Sequence, residues 1–201
     1  MMKAEASSLK ADEAMMKAEE NTMIESKTLI SLADADRLLT GRGEEEPGWD
    51  YALDLSSVEV REYVSGDVRF SVPFNAAWGN AQYRIAPFET RDGIVHFGPM
   101  YLSELHGAFR DGHFRVLEKR TAEAAIADER YRVPPCGDNP NPLPRQVTVG
   151  AYSAVRFEGT HCEGGLVGYE ILGANMNYVF ESAPQANDEL LKWVIERSQL
   201  R

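Results

Sequence analysis

The spacing of apolar residues changes near residue 48, and that change limits what the chain can fold into. Before it, MMKAEASSLKADEAMMKAEENTMIESKTLISLADADRLL is rich in Ala, Glu, Lys and Met and holds no Gly or Pro before Gly41, which is a local preference for helix. Apolar residues thicken from Met23 to Leu39 (Ile24, Leu29, Ile30, Leu32, Leu38, Leu39), so the expectation is a helix anchored near residue 30 and frayed over residues 1 to 20. Gly41, Gly43, the carboxylates Glu44, Glu45 and Glu46, and Pro47 then stop it, because glycine admits left-handed backbone and proline cannot continue a helix.

After the stop the period becomes two. Val58, Val60 and Val64, then Val68, Phe70 and Val72, alternate with polar residues on either side of Ser65-Gly66-Asp67, a hairpin with one wet face. A short strand is expected over Ile94 to Phe97, and Asp111-Gly112 is read as a hairpin turn leading into a strand from Phe114 to Glu118. Thr121 offers a hydroxyl cap to AEAAIADERY, a helix of about three turns, which the Pro-rich loop from Val133 to Pro144 ends. Three antiparallel strands are expected next: Gln146 to Glu158, Leu166 to Leu172 and Met176 to Glu181, with turns at residues 159 to 165 and 173 to 175. Asn187 or Asp188 caps a last helix whose stripe is Leu190, Leu191, Val194, Ile195 and Ser198. Two segments follow: an acidic helical extension and linker over residues 1–48, and a single α+β domain over residues 49–201, with an antiparallel sheet covered by helices.

Charge narrows the partners. The chain has 21 basic and 32 acidic residues, net -11, which repels phosphate backbones and argues against nucleic acid. Residues 1 to 50 hold 6 basic and 12 acidic side chains, over half of that excess in a quarter of the chain. No run nears the roughly 18 apolar residues of a membrane span. No leader of the usual basic, apolar and small-residue order is visible; the compartment is left open, extracytoplasmic if a leader was removed and cytoplasmic otherwise.

No catalytic motif stands out. Cys136 and Cys162 are read as free thiols, with a disulfide between them as the alternative, favoured by export. His161 beside Cys162 resembles a nucleophile and base, but a polar turn explains both, since adjacent side chains diverge. His96, His106 and His113 fall in one hairpin region; His106 and His113 flank Asp111-Gly112 as potential cross-strand neighbours, and a pH-sensitive or metal-binding pair there is the alternative to exposed turn histidines. No zinc-ligand spacing is present, so no metal and no cofactor are expected. The candidate partner-binding residues are Asn75, Trp78, Asn80 and Tyr83, where flat amphipathic rings and amides share a loop; the competing reading makes Phe74 and Trp78 core plugs at a sheet edge.

The words VRFSVPFNAAWGN, TAEAAIADE, VTVGAYSAVRFEG, GYEILGANMNYVFES and LLKWVIERS, in that order over about residues 56 to 200, resemble the PsbP/Mog1/DcrB-like superfamily. The resemblance implies an α/β/α sandwich around an antiparallel sheet, no catalysis, and a surface that binds another protein in an accessory role. It also implies that residues 1 to 40 could be the spacer of a lipoprotein, although no lipid-attachment cysteine stands near the start. The expected function is a non-enzymatic interaction domain binding a basic protein through an acidic surface with aromatic anchors. A small-molecule-binding domain or hydrolase with a pocket between sheet and helix is one alternative, and an immunity or inhibitor protein for a basic toxin is another.

Overall fold

A computed structural model describes residues 28, 29, 31, 35, 58–76, 86–103, 107–132, 140–161, 164–182 and 188–201. Two antiparallel sheets dominate them. The smaller runs in the order β1 (Thr28–Leu29), β2 (Glu59–Ser65), β3 (Val68–Phe74) and β11 (Gln199–Leu200). The larger has seven strands in the order β4 (Glu89–Arg91), β5 (Ile94–Ser103), β6 (Gly107–Glu118), β10 (Met176–Ser182), β9 (Gly164–Leu172), β8 (Tyr152–His161) and β7 (Arg145–Val149). Helix accompanies them at the buried Ala35, whose N–H donates to Ser31 O at 2.9 Å, and in two segments of described extent, α1 (Ala122–Ile126) and α2 (Asp188–Glu196). The chain is therefore mostly β, and the expected helix-covered α/β/α sandwich is corrected. Among the described residues the smaller sheet supplies much of one covering layer, and the other side carries α1 and the 3-10 turn that follows it.

Alternation explains the two faces of the large sheet. Val167, Tyr169 and Ile171 of β9, with Tyr178 and Phe180 of β10, face α2 and the smaller sheet, where they join Phe70, Val72, Leu190, Leu191, Val194 and Ile195 in one buried cluster. Val155, Phe157 and Val179 point the other way and pack with Ala125 and Tyr131. The main core is aromatic. Phe70 of β3 is fully buried among Tyr63, Phe88, Phe97, Phe114 and Phe180, with ring centroids 4.9 to 5.9 Å from its own, the spacing at which edge-to-face and offset rings attract.

Several expectations are met. The hairpin at residues 58 to 72 forms as β2 and β3 with Gly66 at its turn. Four residues of the expected stripe, Leu190, Leu191, Val194 and Ile195, are buried on α2 with Trp193, while the fifth, Ser198, is buried beyond the helix, which ends at Glu196 so that Gln199 and Leu200 pair as β11. Thr121 caps α1 by accepting a hydrogen bond from Ala124 N at 3.3 Å.

Others are corrected. Thr28 and Leu29 are strand, pairing with Val60 and Glu59, where helix was expected. The segment after Thr121 is helical only to Ile126, because Asp128 recaps the chain into a 3-10 turn, Glu129–Tyr131. The expected strand from Gln146 to Glu158 is two strands folded at Gly150-Ala151, where Gly150 takes φ 55°, a conformation that disfavours a Cβ. Asp111-Gly112 is not a turn but lies inside β6. The Asp-Gly turn of this region is Asp92-Gly93, between β4 and β5, with φ 53° and 75°, the pair of positive values that a type I′ turn requires. The expected boundary at residue 48 lies outside the described residues.

Candidate functional site

Asn75 follows β3 directly and is 5% exposed, so it is held in the body of the protein and not presented on a loop. Trp78, Asn80 and Tyr83 lie outside the described residues, as do Cys136, Cys162 and His106. The sequence reading of that loop and of the thiols therefore stands as expectation.

Three polar constellations of the described residues lie on the large sheet, and sequence reading singled out Asp188 in the second and His96 and His113 in the third. The first surrounds Glu170, whose carboxylate is fully buried on the α1 face of β9. Arg120 grips it with two nitrogens, Nε donating to Oε1 at 2.8 Å and Nη2 to Oε2, while Asn177 Nδ2 donates to Oε1 at 2.6 Å and to Arg120 O at 3.1 Å. The remaining Arg120 nitrogen donates to Asp128, the residue that caps the 3-10 turn, and the guanidinium lies 5.2 Å from the centre of the Tyr131 ring. Burial pushes the Glu170 carboxyl up, but the donated bonds from Arg120 and Asn177 outweigh it and hold the group below the usual carboxylate range, since a hydrogen-bonded charge is favoured in its charged form. Bonds from Arg130 and Arg120 outweigh burial at Asp128 and hold it far below its ordinary value, while burial followed by Glu170 pushes the Tyr131 phenol up. The arrangement is a structural clamp between the sheet and the segment after α1.

The second lies at the start of α2. Tyr169 donates to Asp188, Lys192 Nζ sits 2.8 Å from Asp188 Oδ2, and Arg156 Nη2 lies 3.5 Å from the same oxygen. Burial pushes Asp188 up, and Lys192, Tyr169 and Arg156 together bring it below its ordinary value. Acidic groups at a helix start also oppose its positive end.

The third is on the half of the sheet beyond α1. His96 of β5 and His113 of β6 are register partners, in place of exposed turn histidines or a pair of His106 with His113 across an Asp111-Gly112 turn, because residues 111 and 112 lie inside β6. Glu181 of β10 stands opposite His113 and accepts a bond from Arg115 Nη2 at 3.2 Å. Among the described residues no group of three or more His, Cys, Asp or Glu is placed to hold a metal ion. No described helix is long and apolar enough to cross a membrane.

Glu170 and Arg120 had one sequence signal. In LVGYEIL the charge interrupts a run that is apolar at successive positions, the composition of a strand buried on both faces, where an acid needs a partner. Nothing in the sequence says that the partner is 50 residues away.

No family model matches the chain, and no curated protein matches it. A crystal structure from Bacteroides thetaiotaomicron VPI-5482 overlaps 71% of this chain at 12% identity with a TM-score of 0.31. The chain spans 45% of the length of that protein, and a likeness this slight carries no argument.

Proposed function

We propose that the chain is a non-enzymatic interaction module that binds a basic protein, with charge supplied largely by residues 1 to 50 and aromatic contact by Trp78 and Tyr83, Asn80 adding an amide. The observation that carries the reading is where charge is spent. In the folded body several acids are met internally, Glu59 by Arg61, Glu89 by Arg91, Glu158 by Arg145 and Arg156, Glu170 by Arg120, and Asp188 by Lys192, and residues 51 to 201 carry a smaller relative excess, 20 acids against 15 bases. Residues 1 to 50, with 12 acids against 6 bases, cannot balance their excess among themselves, and an unbalanced acidic stretch steers a basic partner.

Two features add support. The space between the sheets is packed with rings, as a body that presents its surface would be. Val116 and Met176, on neighbouring strands of the face that carries α2, are 43% and 37% exposed, apolar area of the kind contacts use. Asn75 enters as the buried residue from which the aromatic segment departs.

The test is affinity capture with the full chain at low and high ionic strength beside Trp78→Ala. The expected result is a basic protein retained at low salt, released as salt rises, and bound about tenfold or more weakly by the variant, a hot-spot loss. Capture of no protein, together with a metabolite that raises the melting temperature, would sink the proposal.

A further inference from the structure

The third constellation falls on a single rung of the large sheet. Glu89 of β4 lies opposite His96 of β5, His96 opposite His113 of β6, and His113 opposite Glu181 of β10. The imidazoles meet edge to face with centroids 4.7 Å apart. His113 Nδ1 is 3.8 Å from Glu181 Oε1, and Arg115, two residues along the same face of β6, holds the other carboxylate oxygen. The charged groups on this face include Glu89, its ion-pair partner Arg91, Glu181 and Arg115. Glu89 is half exposed, so water screens it, whereas Glu181 is largely buried.

We infer that this rung is an acid-sensitive latch: the paired His96 and His113 accept one proton in the closed sheet, and the second enters only as their contact breaks and the β4–β5 edge loosens from β6. The first proton is welcome because Glu181 stands beside His113. A second would set two imidazolium rings in contact beside carboxylates that are already engaged, Glu181 by Arg115 and Glu89 by Arg91. Interacting sites of this kind lose their protons in two separated steps that belong to the pair. Imidazole is also the side chain whose ordinary titration lies between about pH 5 and 8.

The sign follows from proton counts. In the opened edge both histidines titrate near about 6.5, so below that pH the open state binds more protons than the closed one, and closure weakens as pH falls. Burial pushes the Glu181 carboxyl up, so its titration has the opposite sign and must be held constant in any comparison. The location suits a latch, since β4 is three residues long and exposed. Beyond the rung, the β5–β6 register shifts between Phe97 and Met100, where Gly98 has φ 83°.

The experiment is an NMR titration of the imidazoles in the full chain from pH 8 to 4.5, with amide protection factors for β4, β5 and β8 at each end. The expected result is two steps at least one pH unit apart, one on either side of the ordinary value, with protection in β4 and β5 falling more than tenfold relative to β8 across the lower step. His96→Gln retains Glu181 and should leave a single His113 step and no selective loss of protection. Independent titration of the two rings near the ordinary value in the wild type overturns the inference, and so does selective loss that persists in the variant.

Discussion

Two phenylalanine rings on the large sheet each lie over the glycine paired with them across the ladder. A Cβ at Gly112 would lie 2.2 Å from the Phe97 ring, and one at Gly168 would lie 2.1 Å from the Phe157 ring. Phe157 is held from its other side by Tyr131, stacked at 3.9 Å, so it cannot yield. Gly168→Ala should cost about 1–3 kcal/mol in urea unfolding, the usual penalty for overpacking, and pairing it with Phe157→Leu should cost less than the sum of the two changes. Glu170 is the other decisive residue. Glu170→Gln removes the charge that Arg120 was brought in to meet, and the loss should be about 3 kcal/mol, the lower end for breaking a buried pair because Arg120 keeps some access to water. Glu170, Asp128 and Asp188 have folded-state pKa values below their unfolded ones. Their stabilisation is therefore complete above about pH 4.3 and lost as pH falls through the folded values. In the Glu170→Gln variant, acid unfolding should be less steep.

At the scale of the element, local chemistry decides where a helix starts and a turn closes. Thr121 caps α1, and Thr121→Ala should cost about 1 kcal/mol, as lost N-caps do, read as a lower urea midpoint with an unchanged slope. That cap was legible because it needs only a hydroxyl before a run of good helix formers. The stopping point was not, since Asp128 ends the helix while committed to Arg120 and Arg130. The two Asp-Gly pairs make the same point. Asp92-Gly93 turns the chain, whereas Asp111-Gly112 runs straight through β6, because Gly112 is needed by a ring on the neighbouring strand. The β7–β8 turn at Gly150 was missed for a related reason. Residues 145 to 161 alternate well enough to pass for one strand, and a residue with positive φ shows itself only in the folded chain.

The whole molecule depends on two sheets meeting through Phe70 and on the chain end joining them. Phe70→Ala empties the centre of the aromatic cluster and should cost about 3–5 kcal/mol, lowering the melting temperature in one cooperative step because both sheets lose the same contact. After α2 has packed on the large sheet, β11 pairs with β3 of the smaller one, while Tyr152 donates to Ser198 O at 2.8 Å and Tyr178 donates to Arg201 O. What the sequence by itself determined is local: the β2–β3 hairpin, the start of α1, the buried stripe of α2, the strands on either side of residues 173 to 175, and the acidity of the first 50 residues. These follow from periodicity, caps and charge, which act over a few neighbouring residues. The tertiary structure alone decided that a second sheet covers the first in place of a helical layer, that His96 meets His113, and that Glu170 meets Arg120. Each of those depends on which strand lies beside which, and strand order is settled by packing energy shared across the chain, which no short window of sequence contains.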